Sequence, residues 1–298
     1  MKFGQLELVR RSNMCYGAIE AGGTKFVCAV ADENLKIIKK VQIPTTSPQE
    51  TFKQIFSFFN AYDLKAIGIG SFGPIGTNPN QDNYGYILAT PKKGWTNFDF
   101  LGTLKKRYDI PVVWTTDVNA AAYGELLMGA AQGKTSCLYL TVGTGIGGGV
   151  IMDGQIFQGI ASPEMGHIYI KRHPQDKYEG ICPYHHDCLE GLAAGPSLEA
   201  RAGIKGQDLP IDHPVWDIQA YYIAQALMTY TLTLSPEVIV LGGGVMNQDH
   251  LLRKIRQEFT TQMAGYVETP DVEEYIVRWG LPNQSGVMGG LLLAKEAK

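Results

Sequence analysis

The 298-residue chain is 45% hydrophobic and 18% charged, with 26 Lys and Arg against 29 Asp and Glu and a net charge of −3. That balance lacks the cationic surface of a general nucleic-acid binder or a polybasic membrane-surface protein, and no apolar run approaches the ~20 residues of a membrane span. Five cysteines, an odd and low number, and a start with no apolar signal core argue against a secreted disulfide framework and for a reducing cytoplasm.

Residues 1–13 read as a polar lead-in. Residues 16–30 predict two strands around the Gly22-Gly23 turn, and residues 35–43 a third. Residues 47–62 have helical spacing, with Pro48 near the helix start. A short strand over 66–71 runs into Phe72-Gly-Pro-Ile-Gly76, and 77–100 is loop-rich. A helix over 101–108, a strand over 112–115 and a helix over 117–132 complete the first part. The second part opens with a strand over 137–142, a glycine cluster at 143–149, a strand over 150–152 and the turn Asp153-Gly154. It continues through a strand over 167–171, a Cys/His loop at 172–190, helices over 195–202 and 215–233, a strand over 238–241 and a helix over 248–263. An apolar helix over about 286–298 closes it.

Glycine is abundant, 35 residues against a usual ~7%, and it is clustered. Segments 20–32 and 141–153 share an outline of strand, small-residue turn, strand and acidic turn, with Gly22 against Gly143 and Asp32 against Asp153. This is an internal duplication: two lobes, each opening with a glycine-turn hairpin. The lobes are set at 14–117 and 118–298, the last helix packing back on the first lobe.

Gly143-Thr-Gly145-Ile-Gly-Gly148 fits the spacing of a dinucleotide fingerprint, yet the next element is a hairpin and not the helix that fingerprint needs. Consecutive backbone N–H groups at such a turn still suit phosphate, and two matching copies favour phosphate over an ordinary hairpin. Residues 129–135 miss the P-loop by one residue and read as a helix end and linker. Asp117 follows a strand and opens a helix, so it is either a helix N-cap or a general base for a hydroxyl nucleophile, with Glu20 holding Mg²⁺. His167, Cys182, His185 and Cys188 suit tetrahedral zinc; His186 competes with His185.

These segments resemble the ROK family of sugar kinases, in its fructokinase-like branch, from about Tyr16 to Ala294. Residues 19–25 are similar to the family's first phosphate loop, 116–125 to its catalytic-aspartate segment and 140–149 to its second phosphate loop. Glu164-Met-Gly-His167 is similar to its Glu-x-Gly-His motif, 182–190 to its zinc loop and 240–245 to its adenosine segment. The resemblance implies an α/β, two-lobe actin-like ATPase (ribonuclease H-like) fold with an inter-lobe cleft. It implies a cytoplasmic homodimer that transfers the ATP γ-phosphoryl group to D-fructose, with Mg²⁺ and Zn²⁺ as cofactors. Asp117 would be the base. Asn97, Glu164, His167 and Glu190 would bind sugar hydroxyls, His167 also reaching zinc. Gly22, Gly23, Thr24, Lys25, Thr144 and Gly145 would sit on the nucleotide phosphates, and Gly242, Gly243 and Gly244 beside the adenosine. Three positions depart from the common pattern: Glu20 replaces an Asp, Thr116 stands where glucose-type members carry Asn, and His185 where many carry Cys. The family's repressors carry an added DNA-binding domain for which the lead-in has no room. The rival readings are a kinase for mannose, glucose or an N-acetylated hexosamine, and a non-catalytic sugar sensor. Asp117 argues against the sensor, because a binder needs no base.

Overall fold

Alternating burial along residues 15–31 produces the opening hairpin: β1 (Cys15–Ala21) pairs antiparallel with β2 (Lys25–Ala31), Ala18 opposite Ala29. This is a computed structural model describing residues 14–297, so the lead-in expected over 1–13 lies outside the described residues. β3 (Ile37–Pro44) adds to β2, and α1 (Pro48–Phe59) follows. Ser47 caps α1 by accepting the Glu50 N–H, Pro48 sits in its first turn, and Phe52, Ile55 and Phe59 form its buried face. β4 (Leu64–Ser71) runs parallel to β1. A small excursion, β5 (Tyr86–Ile87), β6 (Phe98–Asp99) and α2 (Phe100–Lys105), leads to β7 (Val112–Thr116), parallel to β4, and to α3 (Asp117–Met128). The first sheet therefore has the order β3-β2-β1-β4-β7.

The second half repeats it. β8 (Cys137–Val142) and β9 (Ile146–Met152) form the hairpin, and β10 (Gln155–Ile156) extends it. α4 (Leu189–Ala193), α5 (Gly195–Ala202) and the long buried α6 (Val215–Leu234) precede β11 (Ile239–Gly242). α7 (Asp249–Met263), α8 (Val272–Tyr275), β12 (Ile276–Arg278) and α9 (Ser285–Glu296) follow. The second sheet has the order β10-β9-β8-β11-β12. Strand for strand the two sheets match, which extends the duplication read at the hairpins to five strands each.

Some boundaries differ from expectation. α2 stops at Lys105 and α3 at Met128. The strand expected over 167–171 is a 3-10 turn, Met165–His167, followed by a single bridge from Tyr169 to Cys188. α4, α8 and β12 were not expected; each is five residues or fewer, too short to show a period.

Three cores hold the fold. The first lobe's is aromatic, with Phe26, Phe52, Trp95, Phe100 and Trp114 in contact with one another. The second surrounds Trp216, Tyr222 and Leu227 of α6. The third lies between the sheets and is built from small residues, Ala18 and Ala120–Ala122 among them, with Val287 and Leu291. Here α9 packs against β1 and β4 of the first sheet, while α3 packs against β8 and β9 of the second. The two helices touch through glycine: a Cβ on Gly289 would overlap the Ala120 carbonyl oxygen, and one on Gly124 the Ser285 carbonyl oxygen.

Candidate active site

The parallel strands β1 and β7 deliver two carboxylates to one cleft. Glu20 is next to last in β1, and Asp117 follows β7 directly. The capping question resolves in favour of Thr116, whose Oγ1 accepts the Asn119 N–H at 3.1 Å. Asp117 is the first helical residue, and its Oδ1 accepts the Val118 N–H at 2.9 Å. Its carboxyl is pushed up to about 7: burial is the main cause, the repulsion of Glu20 and Glu164 adds to it, and the Val118 N–H works against it. Burial also raises Glu20, opposed by Lys25 and Lys40. A poised carboxyl beside a second carboxylate is the arrangement a general base near neutral pH requires.

Glu20 and Asp117 line a cavity of about 200 Å³ with Tyr139, Thr141, Gly243, Gly244, Trp279 and Ser285. Gly243 takes φ 87°, open to glycine and strained for other residues, and it is followed by a short 3-10 turn, Gly244–Asn247. Gly286 lies so close to Glu20 that a Cβ there would be 2.8 Å from Cδ. A second cavity of about 450 Å³ abuts the first, sharing Gly244 and Asn247. Its walls include Thr144, Pro196, Leu198, Trp216 and Val245. The pair suits a ligand with one charged end and one flat, less polar end.

Glu164, whose charge acts on Asp117, precedes the 3-10 turn that carries His167. Burial raises Glu164, His167 opposes that and Glu190 adds to it. Glu190 lies in the first turn of α4, where its Oε2 accepts the Ile146 N–H at 2.9 Å. Its Oε1 is 4.0 Å from His167 Nε2. His167 has a second face: Nδ1 lies 3.7 Å from Cys182 Sγ and 3.6 Å from Cys188 Sγ, and His185 Nδ1 is 3.8 Å from Cys182 Sγ. All four donor atoms fall within 4.8 Å of one another. Zinc–sulfur bonds of ~2.3 Å and zinc–nitrogen bonds of ~2.0–2.1 Å at tetrahedral angles put N and S about 3.6 Å apart, so the donor set fits zinc. His186 points elsewhere. It sits at φ 53° and closes the loop by exchanging backbone hydrogen bonds with Cys182.

The remaining predicted residues are placed as follows. Gly22 and Gly23 form the first turn, the Gly22 N–H donating to Lys25 O at 3.0 Å, with Thr24 and Lys25 exposed at its tip. Thr144 is exposed at the tip of the second turn, and Gly145 packs on Glu190, its missing Cβ 2.6 Å from Oε2. Gly242 is buried at the end of β11 against the Tyr139 hydroxyl. Asn97 is exposed between β5 and β6 at φ 55°, and no hydrogen bond among the described residues joins its side chain to the other candidates. Sequence reasoning missed Thr116 as the cap, and Ser285 and Trp279 as lining. The Thr-Thr-Asp run offered the first; the others follow β12, which left no periodic signal.

The ROK family model matches residues 16–297. A fructokinase of Pediococcus pentosaceus is 52% identical over 284 residues, covering 95% of this chain and 99% of its own. A fructokinase of Streptococcus mutans is 51% identical over 287 residues, covering 94% and 97%. Among solved structures, a ROK hexokinase from Thermus thermophilus matches with a TM-score of 0.79 at 27% identity, over 94% of this chain and 98% of that one. This likeness places the chain in the two-lobe, actin-like architecture.

Proposed function

The chain belongs to the ROK family, and from that premise we propose that it is an ATP-dependent hexose kinase that phosphorylates D-fructose to fructose 6-phosphate. The observation that carries the chemistry is Asp117, half-buried at the cleft and poised near 7. The identity of the sugar is supported by the two fructokinases, each about half identical to this chain along almost its whole length.

In this reading the cavity beside Glu20 and Asp117 takes the phosphates with their Mg²⁺, and the neighbouring cavity, walled in part by Pro196, Leu198, Trp216 and Val245, takes the base. The fructose hydroxyl oxygen attacks the γ-phosphorus, the bond from that phosphorus to the β–γ bridging oxygen breaks, and the hydroxyl proton passes to Asp117. Glu164, Glu190 and His167 Nε2 form a rim of acceptors and one ring nitrogen suited to sugar hydroxyls. Gly243 and Gly244 let the nucleotide approach the backbone. Mg²⁺, when bound, neutralises phosphate charge, and Glu20 is the residue we assign to its neighbourhood. His167, Cys182, His185 and Cys188 would hold Zn²⁺, and His167 bound through Nδ1 would keep Nε2 free to face the sugar.

We assign the chain to the cytoplasm, in keeping with the absence of a disulfide among the described residues, and to a homodimer, following the family resemblance. Light scattering would test the dimer. A hexose panel with MgATP tests the reaction. Fructose is expected to give the highest kcat/KM, with glucose, mannose and N-acetylated hexosamines well below it. Turnover of glucose with none of fructose would overturn the sugar assignment, and no sugar-dependent ADP formation would overturn the kinase.

A further inference from the structure

Glu125 lies eight residues beyond Asp117 on α3, just over two helical turns away. It is fully buried, and among the described residues no ion pair reaches it. Four donors converge on it instead. Its Oε2 accepts the N–H groups of Ala130 at 2.8 Å and Gly280 at 2.7 Å. Its Oε1 accepts the N–H of Leu281 at 3.1 Å and the hydroxyl of Ser285 at 2.6 Å. Three of the partners are backbone N–H groups, which can only donate, and they reach both carboxyl oxygens, so the pocket suits a carboxylate; the Ser285 hydroxyl also has the Leu281 carbonyl within 3.0 Å.

Three of these donors belong to segment 279–286, the wall of the acidic cavity, which presents Trp279, Asn283, Gln284, Ser285 and Gly286 to it. Elsewhere the segment is held by the Trp279 N–H, which donates to the Leu241 carbonyl at 3.2 Å, and by Trp279 and Leu281 packing on the cores, while its polar turn from Gly280 to Ser285 converges on Glu125. Gln284, at the N-cap of α9, makes no side-chain cap, and Gly280 has no side chain. Gly286 at its end packs on Glu20. Glu125 thus binds the wall of the nucleotide end to the helix whose first residue is Asp117.

We propose that Glu125 is a positioning residue for nucleotide binding. Its carboxylate holds segment 279–286 against α3 in the arrangement that admits the phosphates, with no contact of its own to either substrate. The proposal rests on the kinase reading of the cleft. In Glu125→Gln the amide NH₂ replaces one acceptor oxygen and, whichever way the amide turns, meets at least one backbone N–H, Leu281 on one side or Ala130 and Gly280 on the other, so part of the anchor is lost. If only a fraction of the molecules keep the wall in place, apparent nucleotide affinity falls by that fraction.

Calorimetric titration with MgADP should show Kd raised about tenfold or more in Glu125→Gln, while the KM for fructose stays within about twofold of wild type. A purely structural role would lower kcat through a smaller folded fraction and leave the nucleotide Kd where it was. The proposal is overturned if the folded variant binds MgADP within twofold of wild type, or if nucleotide and sugar weaken together. Should Glu125→Gln not fold, Glu125→Asp, which keeps the acceptors but withdraws them by one methylene, carries the same test. MgADP binding needs no turnover, so an inactive wild type would count against the kinase reading while the Kd comparison still decides this one.

Discussion

Replacing Asp117 by asparagine should move activity and stability in opposite directions. The amide preserves the side chain's shape and its acceptor for the Val118 N–H, and the helix keeps its cap because that belongs to Thr116. What is lost is basicity, at an expected cost of ~10²–10⁴-fold in kcat. The stability effect follows from the carboxyl's rise from 3.8 to about 7. Below 3.8 the folded and unfolded chains are both protonated at this group. Between there and about 7 the folded chain keeps a proton that the unfolded chain has released, so stability falls as pH rises. Above 7 the loss is complete. The full gap corresponds to about 4 kcal/mol at ~1.36 kcal/mol per pH unit. Asp117 is only half-buried and lines the cleft, so solvent screens it and about 1–2 kcal/mol is the reasonable share. Asp117→Asn should therefore be the more stable chain at pH 8 by that amount, about 2–3 °C in Tm for a chain of this length, with the advantage shrinking toward pH 4. ADP release in a fructose assay and thermal melts across that range check both halves. In wild type, kcat/KM should fall about tenfold per pH unit below the carboxyl's apparent pKa. A folded variant with near-normal kcat, or one less stable than wild type at pH 8, refutes the reasoning.

Two further outcomes concern other parts of the molecule. Metal analysis of protein purified without chelator should find about one zinc per chain, and Cys182→Ser should lose it and raise the fructose KM without changing the nucleotide Kd; absence of zinc would falsify the assignment. Gly289→Ala puts a methyl group into the Ala120 carbonyl at the helix crossing, an overpacking expected to cost about 1–3 kcal/mol or more, and an unchanged melting temperature would contradict that packing.

Legibility in the sequence followed locality. The two hairpins could be read because glycine turns and alternating burial are written within a dozen residues, and the Cys/His cluster because its ligands are closely spaced. The choice between His185 and His186 could not be read, since it depends on the left-handed turn at His186. Thr116 and Asp117 are both good caps, and only the backbone at the strand end decides which one serves. Glu125 looks like an ordinary helix-surface carboxylate until segment 279–286, more than 150 residues further along, folds over it. β12 has three residues and no alternation to detect; its place at the sheet edge comes from pairing with β11.

The crossing of α3 and α9 bears on how such a chain could have arisen. Each half ends in a helix that rests on the sheet of the other: α9 lies on β1 and β4, and α3 on β8 and β9. A half-length ancestor would have been left with an uncovered sheet face and a helix with nowhere to dock. Two copies exchanging their terminal helices would satisfy both, and joining such a pair end to end would give the arrangement seen here. Gly124 and Gly289 are what such a fused arrangement requires at the crossing, because they let the two helix backbones approach.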